Sequence, residues 1–343
     1  MRGRGTPENP PNRFERLFVE SDPDEDGPGP PVPTSYYRDT SRTILSENHS
    51  PDIPFRWSLN PYRGCEHGCS YCYARPSHEY LGFSAGLDFE TRLVVKEDAP
   101  ELLRKKLSSP NWQPETISMS GNTDPYQPLE RRLRITRRCL EVLARFRNPV
   151  DVITKSDLVA RDIDLLGELA SHGAARVMVS VTTLDADLAG RLEPRAARPE
   201  RRLEAVRALA DAGIPVGVMV APVIPGLTDD EIPAILKAAA QAGAHGAAWI
   251  LLRLPQPVDR LFEDWLEQHF PQRKDKVLHR IRQCREGRIT DGRFGRRMRG
   301  QGPYAQQLAA LFRTTARRLG LDRHIPDPSS AAFCRPDQQH RLF

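Results

Sequence analysis

Cysteine is scarce in this chain, with six residues among 343. That is too few for a secreted scaffold held by disulfides. No apolar run is long enough to cross a membrane. The opening Met1-Arg2-Gly3-Arg4-Gly5-Thr6-Pro7 has no apolar stretch of the kind a secretory leader carries. A cytoplasmic location without a membrane partner is therefore expected. A strong charge of either sign is also missing: 50 basic and 45 acidic residues leave a net +5, which does not by itself imply nucleic acid. A second cysteine pair, as zinc knuckles usually have, is absent too. Cys139, Cys284 and Cys334 stand alone.

The other three cysteines are crowded together. Cys65, Cys69 and Cys72 fall within Arg63-Gly64-Cys65-Glu66-His67-Gly68-Cys69-Ser70-Tyr71-Cys72-Tyr73-Ala74-Arg75. Thiolates select soft metals, and cysteine-rich runs hold iron–sulfur clusters. Three ligands on a four-iron cluster leave one iron free to bind a small molecule. Half of a structural zinc site, completed by His67 or a distant cysteine, is the alternative. A disulfide with a spare thiol fits poorly with so few cysteines and no leader.

Residues 1–40 are expected to form a disordered tail, because Pro, Gly, Asp and Glu crowd Glu20 to Pro33. Arg2 and Arg4 lie in its short basic start, which suits solvent or a nucleic-acid contact. From Phe55 the pattern alternates. Strands are expected at Phe55–Asn60, Leu93–Lys96, Thr116–Ser120, Val150–Thr154, Ala175–Thr182, Val216–Ala221 and Gly246–Leu252. Helices are expected at Pro100–Leu107 (capped by Asp98), Arg131–Phe146, Leu158–His172, Pro199–Ala212 and Asp229–Ala242, three of them closed by Gly173, Gly213 and Gly243. About six βα units fit this order. The fold class is α/β, a partial (β/α)6 TIM-like barrel over residues 41–255 with a C-terminal helical extension over 256–343 packed on it. In such sheets the residues just after each strand are the site candidates.

The cysteine spacing, with Tyr71 directly before the third cysteine and the whole loop after the first strand, resembles the radical S-adenosylmethionine enzymes. Asn60-Pro61-Tyr62-Arg63-Gly64-Cys65, Ser120-Gly121-Asn122-Thr123-Asp124-Pro125-Tyr126-Gln127-Pro128, Thr154-Lys155-Ser156 and Ala221-Pro222-Val223-Ile224-Pro225-Gly226 are similar to the subgroup of spore photoproduct lyase, a DNA-repair enzyme. The resemblance implies a [4Fe–4S] cluster on Cys65, Cys69 and Cys72. It implies S-adenosylmethionine chelated to the open iron and cleaved by one electron to a 5′-deoxyadenosyl radical that removes a hydrogen atom from the substrate. The electron would come from a donor such as flavodoxin or ferredoxin. The implied cofactor contacts are Tyr71 near the adenine; Ser120, Gly121, Asn122 and Thr123 after the second barrel strand; Lys155 and Ser156 after the third; Ser180 in the fourth; Arg195 as a bidentate partner for the carboxylate; and Ala221 and Val223 walling the adenine. Asp124 reads equally as a ligand contact or an ordinary turn residue, and Arg195 equally as a surface arginine. No cysteine takes the hydrogen-donor role known in spore photoproduct lyase.

The remaining polar residues read as structural. His67 suits a hydrogen-bonding loop residue and His78 a satisfied surface or core histidine, and Cys139 lies beside Leu140 and Leu143 on an apolar helix face. Between residues 280 and 299 eight arginines face only Glu286 and Asp291. This is a solvated face or an anion-binding patch, and with the resemblance it makes nucleic acid the leading substrate class. A non-catalytic binding protein with a structural zinc is the competing function.

Overall fold

The computed structural model describes residues 3–14 and 33–336. Runs that are buried almost throughout, such as Val150–Thr154 and Ala175–Ser180, suit strands covered on both faces, as in a parallel sheet, and their charged residues Asp151 and Arg176 pair with each other at 3.0 Å. The strands in chain order are β1 Ser35–Arg38, β2 Leu45–Glu47, β3 Trp57–Leu59, β4 Tyr62–Arg63, β5 Arg92–Val95, β6 Ile117–Met119, β7 Val150–Thr154, β8 Ala175–Ser180, β9 Val216–Val223 and β10 Gly246–Leu251. A seven-stranded sheet runs β10-β9-β8-β7-β6-β3-β2. Every pairing from β3 to β10 is parallel, and β2 joins antiparallel at one edge. The six parallel strands are the six expected units. Among the described residues their hydrogen-bonded ladder does not return from β10 to β3. The C-terminal chain covers the open edge of β10 instead: Leu251 N donates to Met298 O at 2.9 Å and Ala247 N to Leu321 O at 3.0 Å. Covering an edge in this way removes a template for unwanted strand pairing.

The expected helices are present with local differences. Gly173, Gly213 and Gly243 follow helices that end at Ser171, Asp211 and Gln241. The helix expected over 131–146 is broken by Arg134, which adopts a left-handed φ of 53° and separates Glu130–Leu133 from Ile135–Phe146. Asp98 occupies the N-cap position of the helix Ala99–Ser108 without a side-chain cap bond. It pairs with Arg38 at 3.2 Å instead.

The expected tail over 1–40 requires correction. Residues 3–14 pack on the body of the fold, and β1 pairs with β5, which also pairs β4, in a second, three-stranded sheet. Gly5 N donates to Glu90 Oε2 at 3.0 Å, Asn9 and Asp88 bond reciprocally at 2.9 Å, and Arg13 pairs with buried Glu79. Arg4 donates to Glu90 O at 3.1 Å and to Thr34 Oγ1 at 3.0 Å, so its guanidinium is held inside the fold. The composition of this segment hid contacts made with carboxylates far along the chain. Arg2 and most of the Pro-rich stretch lie outside the described residues.

Two cores result. The larger packs helices onto the sheet and includes Cys139, fully buried as expected for a core thiol. The smaller joins the cysteine loop to the C-terminal extension: Cys69 and Tyr71 share it with Leu252, Leu254, Phe262, Trp265, Val277 and Ile281. The extension therefore packs directly over the cysteine loop.

Candidate active site

Two glycines let the cysteine loop close. Gly64 (φ 79°) and Gly68 (φ 66°) are left-handed, and each lies against a neighbour: a Cβ on Gly64 would sit 2.9 Å from Phe89 O, and one on Gly68 2.6 Å from Glu90 Oε2. The loop is pinned by Cys65 N to Phe89 O at 2.9 Å and Ser70 N to Leu192 O at 3.0 Å. Arg75 lies fully buried beneath it. Its Nε and Nη2 donate to Cys69 O at 3.0 and 2.9 Å, its Nη1 to Gly86 O at 2.8 Å, and it pairs with buried Glu90.

The three cysteines are free thiols; Cys65 and Cys69 are buried and Cys72 partly so. Burial pushes all three above the ordinary thiol value, helped by the charge of Asp124 at Cys65 and of Glu193 at Cys69. Metal loading must therefore release protons from this loop. Among the described residues no three His, Cys, Asp or Glu side chains are grouped to hold one metal ion. Two polar atoms in the loop, Glu66 Oε2 and Ser70 Oγ, are buried without a hydrogen-bond partner. Soft donors on one loop and unsatisfied polar atoms among them suit a metal–sulfur cluster with a polar guest.

The strand ends converge on this loop. Asn60 Oδ1 accepts from the backbone of Asn122 and Thr123 at 3.1 and 3.3 Å, and Thr123 Oγ1 donates to Tyr62 O at 3.1 Å. The hydroxyl of Tyr73 donates to Gly121 O at 2.6 Å. Ser120 and Gly121 are partly exposed, and Asn122 is exposed. Asp124 accepts from Thr154 Oγ1 and Lys155 N, both at 2.7 Å, and faces His67 Nδ1 at 3.4 Å. Burial opposes its charge, but His67 and these donors outweigh it and hold Asp124 below the usual carboxylate value. Asp124 is thus a clamp between β6, β7 and the cysteine loop.

A buried ionic hub that sequence reasoning missed centres on Glu193. Lys155 reaches it at 3.1 Å, and Arg202, Tyr71 and Thr182 bond it as well. Burial works against its ionisation, yet Arg202 and Lys155 hold it well below the ordinary range. Lys155 Nζ also donates to Thr182 Oγ1 at 3.0 Å and Ala221 O at 2.8 Å, so its three donors are taken within the chain. Ser156 Oγ accepts from Leu158 N at 3.3 Å as a helix cap. Arg195, expected to meet a cofactor carboxylate, meets one of the chain's own: it pairs with buried Glu66 at 3.1 Å. Ser180 is buried, with its carbonyl accepting from Arg202 at 3.0 Å; Ala221 is partly exposed and Val223 buried at the end of β9. Its partners come from the cysteine loop, the ends of β7 and β8 and the helix Pro199–Asp211, and no local signal in the sequence marked Glu193 as what they share.

The family model described as the Radical SAM superfamily matches residues 59–239, more than half of the chain. The chain belongs to the radical SAM superfamily. This radical SAM protein is 39% identical over 222 residues to an uncharacterised protein of Mycobacterium tuberculosis, a match that covers 64% of this chain and 65% of that one, just under two thirds of the relative's length. It is 29% identical over 217 residues to an uncharacterised protein of Methanocaldococcus jannaschii, covering 63% and 77%. In three dimensions it is similar to a spore photoproduct lyase variant, with TM-score 0.56, 20% identity and coverage of 83% and 78%. It is also similar to a spore photoproduct lyase complexed with a dinucleoside spore photoproduct, with TM-score 0.53, 18% identity and the same coverage. At these identities the likeness shows a shared fold. Membership of the superfamily implies S-adenosylmethionine and an iron–sulfur cluster. Among the described residues no helix is long and apolar enough to cross a membrane.

Proposed function

We propose that Cys65, Cys69 and Cys72 hold a [4Fe–4S] cluster whose fourth iron is left for S-adenosylmethionine. When bound, this pair supplies reductive cleavage of the sulfur–C5′ bond and abstraction of a substrate hydrogen atom by the 5′-deoxyadenosyl group. The observation that carries the reading is the pinned loop of three free thiols at the end of the first parallel strand. Ser120, Gly121, Asn122, Ser180, Ala221 and Val223 line the strand ends where the cofactor would lie, and Glu66 brings an unpartnered oxygen. Thr123, Lys155 and Arg195 act one layer back, through hydrogen bonds and ion pairs that set the loop and Tyr71, and Ser156 caps the short helix after β7. The C-terminal helices over Cys69 and Tyr71 shield the reaction from water.

For the substrate we favour nucleic acid, with a repair-like or modifying reaction. The shared fold with spore photoproduct lyase, solved with a dinucleoside lesion, supports this choice. Anaerobic reconstitution should give about four iron and four sulfide per chain, lost in Cys65→Ala, Cys69→Ala and Cys72→Ala. The reduced protein should release 5′-deoxyadenosine from S-adenosylmethionine. About one zinc without sulfide would instead establish the structural-metal reading.

A further inference from the structure

The arginine-rich segment is mostly committed within the chain. Arg293 pairs with Asp291 and Glu286 at 2.8 Å, and Arg297 with Asp52 at 2.6 Å. The Arg297–Asp52 pair ties the segment to the loop before β3. Two guanidiniums differ. Arg285 is 2% exposed; its Nη2 donates to Leu252 O at 2.5 Å and Arg297 O at 3.0 Å, but its Nη1 is buried with no partner. Arg253, just beyond β10, lies over the Tyr73 ring at 4.8 Å and donates to Met298 Sδ at 3.6 Å; among the described residues it has no carboxylate partner. The two arginines are near enough to repel one another. The nearby acids, Asp52 and Asp291, are engaged by Arg297 and Arg293. Burial draws both guanidiniums below their ordinary value, and Arg297 adds to this at Arg253. Tyr73 follows Cys72, is 46% exposed and bonds Gly121 O, so the pair borders the candidate active site.

Two neighbouring like charges without an acid of their own, one of them a buried guanidinium with an unpartnered Nη1, call for an anion. A planar guanidinium fork matches phosphate in two-point contact, and a half-exposed ring beside it offers a stacking surface for a base. We propose that Arg253 and Arg285 bind a phosphate group of the substrate next to Tyr73. This rests on the radical SAM reading only for what the site feeds.

The test is equilibrium binding of the cluster-loaded full chain to a labelled single-stranded oligonucleotide, with a mononucleotide and inorganic phosphate as competitors. Arg253→Gln should weaken binding at least tenfold and lower the salt slope by about one. Arg288→Gln, an exposed arginine of the same segment, should change it less than twofold. Displacement of the oligonucleotide by both the mononucleotide and inorganic phosphate supports a phosphate pocket there, and displacement by neither at saturating concentration counts against it. Equal affinity for wild type and Arg253→Gln overturns the proposal. If that variant does not fold, phenylglyoxal labelling of the wild type decides: phosphate ligands should protect Arg253, and unchanged labelling overturns the site. Failure of the wild type to cleave S-adenosylmethionine while binding depends on Arg253 would remove the radical reading and leave the phosphate site standing. Cleavage without any Arg253-dependent binding would do the reverse.

Discussion

The cysteine loop and the arginine-rich segment are the two places where one residue type crowds the sequence, and they teach opposite lessons. In the loop the three thiols have no partners among themselves, while everything around them is fixed by Arg75, Glu90, Asp124 and Asn60. In the segment most of the arginines are spent on internal acids and carbonyls, and the segment works as a brace between the two ends of the sheet. A cluster of like residues marks a ligand site where the fold leaves those residues unsatisfied, and marks structure where the fold satisfies them.

The sharpest way to break this contrast is Glu193→Ala. It strands Arg202, 1% exposed, beside Lys155 without a counter-ion. Removing one partner of a buried pair costs about 3–5 kcal/mol, to be read from urea unfolding; a loss under about 1 kcal/mol would mean the hub is not coupled as drawn. Next comes Gly68→Ala. It forces a left-handed backbone on alanine and a Cβ toward Glu90, and should cost roughly 1–3 kcal/mol together with iron content.

Arg297→Gln should lower the thermal unfolding midpoint, because Asp52 loses the guanidinium that bonds it at 2.6 Å. Thermal unfolding indistinguishable from wild type would contradict the brace. Arg288→Gln should stay within about 0.5 kcal/mol of wild type, since its side chain is exposed.

A pH series sharpens the loop side. Burial holds His78, 1% exposed against Phe83 and Phe89, down to about 4. The unfolded histidine takes its proton near 6.5, so stability is full above that pH and falls as the pH drops toward 4. The slope contributed is at most about 1.4 kcal/mol per pH unit. His78→Leu should flatten it, and an unchanged slope would count against a neutral buried ring. Glu193 acts lower, its contribution fading as pH falls below the ordinary carboxylate range.

Much of the fold was legible because its signals are local. Apolar runs broken by glycine and by capping residues give βα units one at a time, and the six parallel strands follow. The cysteine loop was legible for the same reason. What stayed hidden depends on contacts between distant segments. Residues 3–14 read as a tail, since their partners Glu79, Asp88 and Glu90 lie more than sixty positions away. Lys155 and Arg195 read as cofactor ligands, because nothing in their neighbourhood shows that Glu193 and Glu66 reach them first. Arg253 gave no signal at all beside eight arginines further along, though its guanidinium lies over Tyr73, next to Cys72.

The central claim is a cluster with one iron open to an exchangeable guest. Electron paramagnetic resonance of the reduced, reconstituted protein before and after S-adenosylmethionine is added tests it most directly. A four-iron cluster signal whose shape changes on addition is expected, in wild type and not in Cys69→Ala. A fully loaded cluster whose signal is unmoved by saturating S-adenosylmethionine would contradict it.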